Sequence, residues 1–442
     1  MSCHKIRSSL RENYIAAILI QIVVGPILGT ITIMMSLNEV HAETKVIPSL
    51  SVSERYDSNV FYGFVFPGQK SYDFVSNVQP QVSLEHRGRL IEGIFTGGGV
   101  AEYYAEHPNF NYVGANGVAT LNLNQLAGKL NRNLQLSLTD ALFYTPTPPA
   151  FINPQAGQSP ASTGSSFATG VQPYRVTTTV NTGRIIGAYT FTPRSSWAAT
   201  YSNTYLRFGN TLGNPTLGTV FGVTSHAIST GPQFRVTPLD TVSLNYVFTR
   251  ADYTQGQSSG NFQTQGGQVT WSRLITPTIT ATLTGGLQVV EPSTVQQNGG
   301  NATGQQGSVE QPRSVLYVTG ATLLWNYQEN TAVTLAYSRA VTPSFYLVPV
   351  PLISNVVTAS ISYRLSAKLA ATGSANYAIN EDTNSTLSFR SYGGILTLNY
   401  ILTRTFSLLG TYSYYNYSSK FVGQALEFDR NMVMLTLKAT WN

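Results

Sequence analysis

Charge is what this sequence has least of. Only 10% of its 442 residues are Asp, Glu, Lys or Arg, where an ordinary soluble domain carries about a quarter. A chain of this size is therefore not kept in solution by a charged shell. Its mean hydropathy of -0.03 excludes the opposite extreme, a bundle of membrane helices. Cysteine is limited to Cys3, so disulfides, thiolate metal sites and cysteine nucleophiles are excluded from everything downstream. Histidine is scarce too, with five residues. His4 and His41 lie in the N-terminal segment, His86 is expected in a turn, His107 in a loop and His226 in or beside a strand. None has a Ser, Asp or Glu neighbour in a nucleophile-base pattern. Gly-x-Ser-x-Gly, His-Glu-x-x-His and Cys/His metal spacings are all missing. No enzyme, metal site or cofactor is expected. The formal charge of +6 is modest and gives no nucleic-acid footprint.

The only long apolar run is N-terminal. Lys5, Arg7 and Arg11 precede Ile15 to Leu37, and Val40-His41-Ala42 supplies a small-x-small tripeptide. This is the layout of an export signal, with cleavage expected after Ala42 and residues 1–42 removed. The run is long enough for an uncleaved anchor, but Gly25-Pro26 interrupts it. Residues 43–442 then form one domain.

What fills that domain is period-two alternation, as a strand with two unlike faces requires. Ile279, Ala281 and Leu283 alternate with Thr278, Thr280, Thr282 and Thr284. Val242, Leu244, Tyr246 and Phe248 alternate with Thr241, Ser243 and Asn245, and Leu134, Leu136 and Leu138 with Gln135, Ser137 and Thr139. A helix would put these apolar residues on no common face. Strands are expected near 46–56, 72–85, 89–104, 111–126, 131–143, 176–192, 195–208, 220–236, 240–252, 262–275, 278–291, 313–326, 330–341, 352–365, 367–380, 386–401, 404–417 and 425–441. Short turns such as Phe191-Thr192-Pro193-Arg194, Val236-Thr237-Pro238-Leu239 and Leu402-Thr403-Arg404-Thr405 separate them. These turns alternate with longer polar connections over 145–172, 209–219, 252–260 and 292–312. Tight turns on one side and long loops on the other are the asymmetry of a transmembrane, antiparallel, up-and-down β-barrel of the bacterial outer membrane, with turns in the periplasm and loops outside. About eighteen strands are expected, with sixteen as the fallback because the first strand has the weakest pattern. An all-β barrel also explains the neutral hydropathy, since lipid-facing and lumen-facing residues average out.

The hydrophilic face is hydroxyl- and amide-rich. Its expected lumen residues are Asn122, Asn124, Gln135, Thr139, Asn245, Thr280, Thr282, Thr284, Thr358, Ser360 and Thr436, with Arg235, Arg364 and Lys438 as the few charges. Such a wall offers many weak hydrogen bonds and no strong ion trap, which suits a sugar polymer or any hydrophilic solute. Tyr56, Tyr103, Tyr104, Tyr189, Trp197, Tyr400, Tyr412, Tyr414 and Trp441 are expected in aromatic girdles. Asp140, Asp252, Glu291, Glu381, Asp382, Glu427 and Asp429 are expected near the outer ends or loops, where acids are solvated or hold cations that bridge lipopolysaccharide. Arg87, Arg89, Lys129, Arg132, Arg194, Arg273, Lys368 and Arg404 are expected near the periplasmic turns. The last strand, Val433 to Trp441, alternates apolar residues up to a near-terminal aromatic, as an outer-membrane insertion signal does.

The segment Ser51-Val52-Ser53-Glu54-Arg55-Tyr56-Asp57-Ser58-Asn59-Val60-Phe61 resembles the opening strand of the β-barrel porin 2 family, the exosortase (PEP-CTERM) system-associated outer-membrane proteins. Leu136-Ser137-Leu138-Thr139-Asp140-Ala141-Leu142-Phe143-Tyr144-Thr145-Pro146 is similar to that family's strand before its first long loop. The resemblance implies an exopolysaccharide-secretion porin working with a periplasmic polysaccharide export protein, and it transfers no site residue. A general or nutrient diffusion porin and a non-transporting structural or adhesive barrel remain alternatives. Outer-membrane lipid, lipopolysaccharide and the barrel-assembly machinery are the other expected partners.

Overall fold

The computed structural model describes residues 43–62, 70–146, 175–211, 222–255, 258–291, 293–297, 307–311, 313–344, 350–382, 387–421 and 424–441. The expected export signal over 1–42 lies outside the described residues, as do most of the long connections over 145–172 and 292–312. The strands are β1 (Glu43–Asp57), β2 (Asp73–Arg87), β3 (Glu92–Tyr104), β4 (Tyr112–Asn122), β5 (Leu134–Thr145), β6 (Val176–Thr192) and β7 (Ser195–Thr211). They continue with β8 (Gly222–Arg235), β9 (Asp240–Gln255), β10 (Ser258–Thr276), β11 (Ile279–Val290), β12 (Ser293–Gln297) and β13 (Gly307–Gln311). The last seven are β14 (Ser314–Gln328), β15 (Thr331–Pro343), β16 (Pro351–Arg364), β17 (Leu369–Asp382), β18 (Leu387–Ile401), β19 (Phe406–Phe421) and β20 (Gln424–Thr440). A short helix, α1 (Asn124–Leu130), connects β4 to β5.

Each wall strand pairs antiparallel with its sequence neighbours, and β1 pairs with β20, so the sheet closes on itself. β12 and β13 pair with each other and β12 pairs with β10 at a single position, while β11 pairs directly with β14. The short hairpin is thus an appendage, and eighteen strands make the barrel wall. Closure satisfies every wall strand on both edges, which is the condition for spanning hydrocarbon.

The turns explain why the hairpins are so short. In Val236–Leu239, Leu365–Lys368 and Leu402–Thr405 the second residue is Thr237, Ser366 or Thr403. The Thr403 hydroxyl accepts from the amides of Thr405 and Phe406 at 3.2 and 3.0 Å, and the Ser366 hydroxyl from those of Lys368 and Leu369 at 3.2 and 3.1 Å. A side chain that holds two turn amides replaces a longer loop.

Alternation decides which residues face out. Leu244, Leu283, Leu335, Leu396, Leu435 and Leu437 lie on one face of the sheet and are all exposed. On the other face Thr282 pairs in register with Ser272 and Thr322, and Thr397 with Thr372 and Thr411. Hydroxyl pairs link neighbouring strands there, as in Thr270 with Thr284 at 3.0 Å and Ser83 with Thr96 at 3.0 Å. A closed sheet wearing an exposed apolar face is stable only with that face in hydrocarbon, so the threonine face is the inner one.

Several expectations need correction. The segment 123–126 is not strand: α1 starts there because Asn122 Oδ1 accepts the Asn124 amide and Asn124 Oδ1 accepts that of Leu136. Asn124 therefore leaves the wall. β9 and β10 run through 252–260 almost to a two-residue tip, leaving little loop there. His86 lies in β2 rather than a turn, buried, with Nδ1 3.0 Å from the Thr44 hydroxyl. Asp140 lies mid-strand on the outer face, where Asn181 Nδ2 donates to both its oxygens at 3.1 and 3.2 Å. Tyr104 leaves the girdle altogether, since it sits on the inner face and is buried.

Candidate functional site

The inner wall changes character along its length. On β17 the inner positions Ala370, Thr372, Ser374 and Asn376 are half-buried or exposed, whereas Ala378, Asn380 and Asp382 are buried. On β19 Ser407, Leu409 and Thr411 are half-buried, whereas Ser413, Tyr415, Tyr417 and Ser419 are buried. β16 and β18 follow the same order. In every case the open half lies towards the short turns and the buried half towards the loops. The lumen is thus a vestibule, hydrophilic and accessible from the turn end and occluded at the loop end.

The occlusion has two chemistries. Around most of the loop end it is apolar, an inner collar that includes Leu206, Phe262, Leu352, Phe389, Tyr417 and Phe428 and takes in Tyr62 and Val350 from outside the strands. Over β1 to β4 and β20 it is charged. Arg55 makes a bidentate pair with Glu102 at 3.0 and 3.0 Å, and Glu102 also accepts from Tyr104 at 2.8 Å and Asn77 at 3.2 Å. Arg430 grips Asp57 through Nε at 2.9 Å and through Nη2, with both side chains almost fully buried. Asp73 accepts from the amides of Phe74, Glu106 and His107 and lies 2.8 Å from His107 Nδ1. Arg175 then lies with its guanidinium 4.8 Å from the Tyr104 ring centre and 5.4 Å from that of Phe110. Burial works against its charge and the Glu102 carboxylate supports it, and a guanidinium does not give up its proton in a protein, so Arg175 stays cationic. Outside the wall, the charge and hydrogen bond of Glu106 hold the exposed Lys70 ammonium above its ordinary value.

Of the residues expected to line the lumen, Asn122, Gln135, Thr139, Arg235, Asn245, Thr280, Thr282, Thr284, Arg364 and Lys438 lie on the inner face by register. They are spread around the open half and do not gather into one constellation. Arg364 borders a groove of about 360 Å³ at the turn end, shared with Asn326, Ser362 and Thr372. Sequence reasoning missed the charged cluster. Its one legible signal was Arg55 and Asp57 continuing the hydrophilic register of Ser49, Ser51 and Ser53 in a chain so poor in charge. Arg175 had no such signal, because it precedes β6 and meets Tyr104 of β3 across two intervening strands.

Residues 316–440, most of β14 to β20, match the family described as Putative beta-barrel porin 2. No curated protein matches the chain. Among solved structures, the ferric-catecholate import receptor Fiu of E. coli K12 is 11% identical over 89% of this chain and 81% of its own, with a TM-score of 0.42. OccAB3 of Acinetobacter baumannii is 10% identical over 90% of this chain and 99% of its own, with a TM-score of 0.39. OccK1 of Pseudomonas aeruginosa is 9% identical over 90% of this chain and 99% of its own, with a TM-score of 0.40. What the chain itself shows is a closed antiparallel β-barrel of eighteen wall strands, whose last seven carry the family match.

Proposed function

We propose that this barrel is an outer-membrane conduit for a secreted polysaccharide, entered from its turn end and held shut at its loop end until engaged. The observation that carries this is the one-sided lumen: the inner wall is open towards the turns and buried towards the loops. With the turns in the periplasm, as barrels of this kind insert, solute reaches the vestibule from inside the cell envelope. A diffusion porin needs both ends open, and an adhesive barrel has no use for a hydrophilic vestibule.

The open wall suits such cargo. Gln135, Thr139, Asn245, Thr280, Thr282 and Thr284 present amides and hydroxyls that exchange hydrogen bonds with sugar hydroxyls at nearly equal energy, so a polymer slides without being trapped. Asn122, Arg235, Arg364 and Lys438 add contacts in the same open half. A periplasmic polysaccharide export protein is the fitting partner at that rim, and lipopolysaccharide at the outer girdle. Deleting the gene is expected to reduce extracellular polysaccharide several-fold, with restoration by the intact gene, as measured by total carbohydrate in culture supernatants. Unchanged secretion would remove this function.

A further inference from the structure

We infer that the sealed end of the lumen holds a binding site for an oxyanion carried by a saccharide, a carboxylate or a phosphate, with Arg175 as the group that receives it. Three guanidiniums, Arg55, Arg175 and Arg430, converge there on two carboxylates, Glu102 and Asp57, and both carboxylates are used. Glu102 is held by Arg55, Tyr104 and Asn77, and Asp57 by Arg430. Asp73 is engaged by three amides and His107. Arg175 is only 4% exposed, and its Nε and Nη1 are buried with no acceptor among the described residues. Arg55 Nε is in the same condition. Aromatic faces at Tyr104 and Phe110 stabilise the cation but accept none of its in-plane hydrogen bonds. A buried guanidinium without an acceptor is costly, and a planar or tetrahedral oxyanion meets its fork in bidentate fashion.

The remaining inner charge agrees with an anionic cargo. Arg184, Arg235, Arg364 and Lys438 face the vestibule on β6, β8, β16 and β20, and none forms an ion pair among the described residues. The acids of the open half are Glu43, Glu85 and Glu92 on β1 to β3, in register with Lys45 and Arg87, and Glu329, which lines the turn-end groove with Arg364. An acidic polymer entering at the turns therefore meets isolated cations on its way to Arg175. The inference rests on the conduit reading for its saccharide, but its test uses the purified barrel alone. A secretion phenotype that failed to appear would leave the binding result standing, and the reverse.

The experiment titrates the detergent-solubilised full chain with an oligogalacturonide of about ten units, a maltooligosaccharide of equal length and inorganic phosphate, by calorimetry at low and high salt. The oligogalacturonide is expected to bind at least about tenfold more tightly than the neutral oligomer, to weaken with salt, and to be displaced by phosphate. R175Q is expected to lose about tenfold in affinity, R175K less, and R404Q, in a distant turn, nothing. Heat-modifiable gel mobility confirms that each variant is folded, and phosphate competition on the wild-type protein tests the site even where R175Q does not fold. Unchanged binding in R175Q, or equal binding of the neutral oligomer, would overturn the site. Phosphate binding tighter than the oligogalacturonide would overturn its assignment to a saccharide.

Discussion

Asp57 and Arg430 show what a single residue pair does in a closed sheet. They stand on the first and last strands, 373 positions apart in sequence, and face each other on the inner side of the seam. Beside them Ser58 and Asn59 bond back to β20: the Ser58 amide donates to the Asn431 carbonyl at 3.0 Å, and Asn59 Nδ2 to that of Asp429 at 3.1 Å. The Asp-Ser-Asn part of the opening segment is therefore a seam clasp. Removing one partner of a buried ion pair leaves the other charge uncompensated, so D57N and R430M are each expected to cost about 3–5 kcal/mol. The double variant should lose less than the sum of the two. Urea unfolding in lipid vesicles measures all three, and strict additivity would mean that the pair does not hold the seam. The nearby Lys70–Glu106 pair is exposed and carries no such weight.

At the scale of the element, closure treats the two faces of a strand differently. Gly285 and Gly286 are adjacent in β11, yet a Cβ on Gly285 would meet nothing within 4 Å. A Cβ on Gly286 would collide with the Gly267 carbonyl oxygen and come within 2.8 Å of Gln268 Cγ. The difference is curvature: backbones crowd on the concave inner side and spread on the convex outer side. G286A is expected to destabilise the barrel by about 1–3 kcal/mol and G285A to be nearly silent. The check is the temperature at which each variant loses its folded mobility on a gel, and equal shifts would contradict the inside-outside assignment of β11. The turns at Val236–Leu239, Leu365–Lys368 and Leu402–Thr405 show the complementary case, in which local chemistry suffices. Thr237, Ser366 and Thr403 close their hairpins with their own hydroxyls, so those breaks were plain in the sequence. The helix α1 was not, because Asn122 and Asn124 read as strand until the Asn122 bond to the Asn124 amide and the Asn124 bond to Leu136 of the next strand are seen.

For the whole molecule the question is whether the pore conducts. At the loop end Phe389, Tyr417 and Phe428 belong to one buried apolar cluster of the inner wall, so an ion crossing there meets side chains that cannot replace its water. The purified barrel in planar bilayers is expected to show little steady conductance, and F389G with F428G is expected to produce open, ohmic events. A wild-type barrel with a stable conductance of the nanosiemens class would favour free diffusion over gated passage.

Much of this protein was settled by its sequence alone. Strand alternation, turn chemistry and the shortage of charge pointed to a closed barrel of about eighteen strands and to the identity of its two faces, because those depend on neighbours two to four residues apart. The pairing of β1 with β20 and of β11 with β14 then decided eighteen over sixteen. The grouping of Arg55, Asp57, Glu102, Arg175 and Arg430 was decided only by the tertiary structure. So were the buried loop end and the side of the barrel that stays open. These depend on which strands become neighbours when the first meets the last, and on what then occupies the lumen. Period-two pattern says that a residue points inward; it carries no record of what it will meet there.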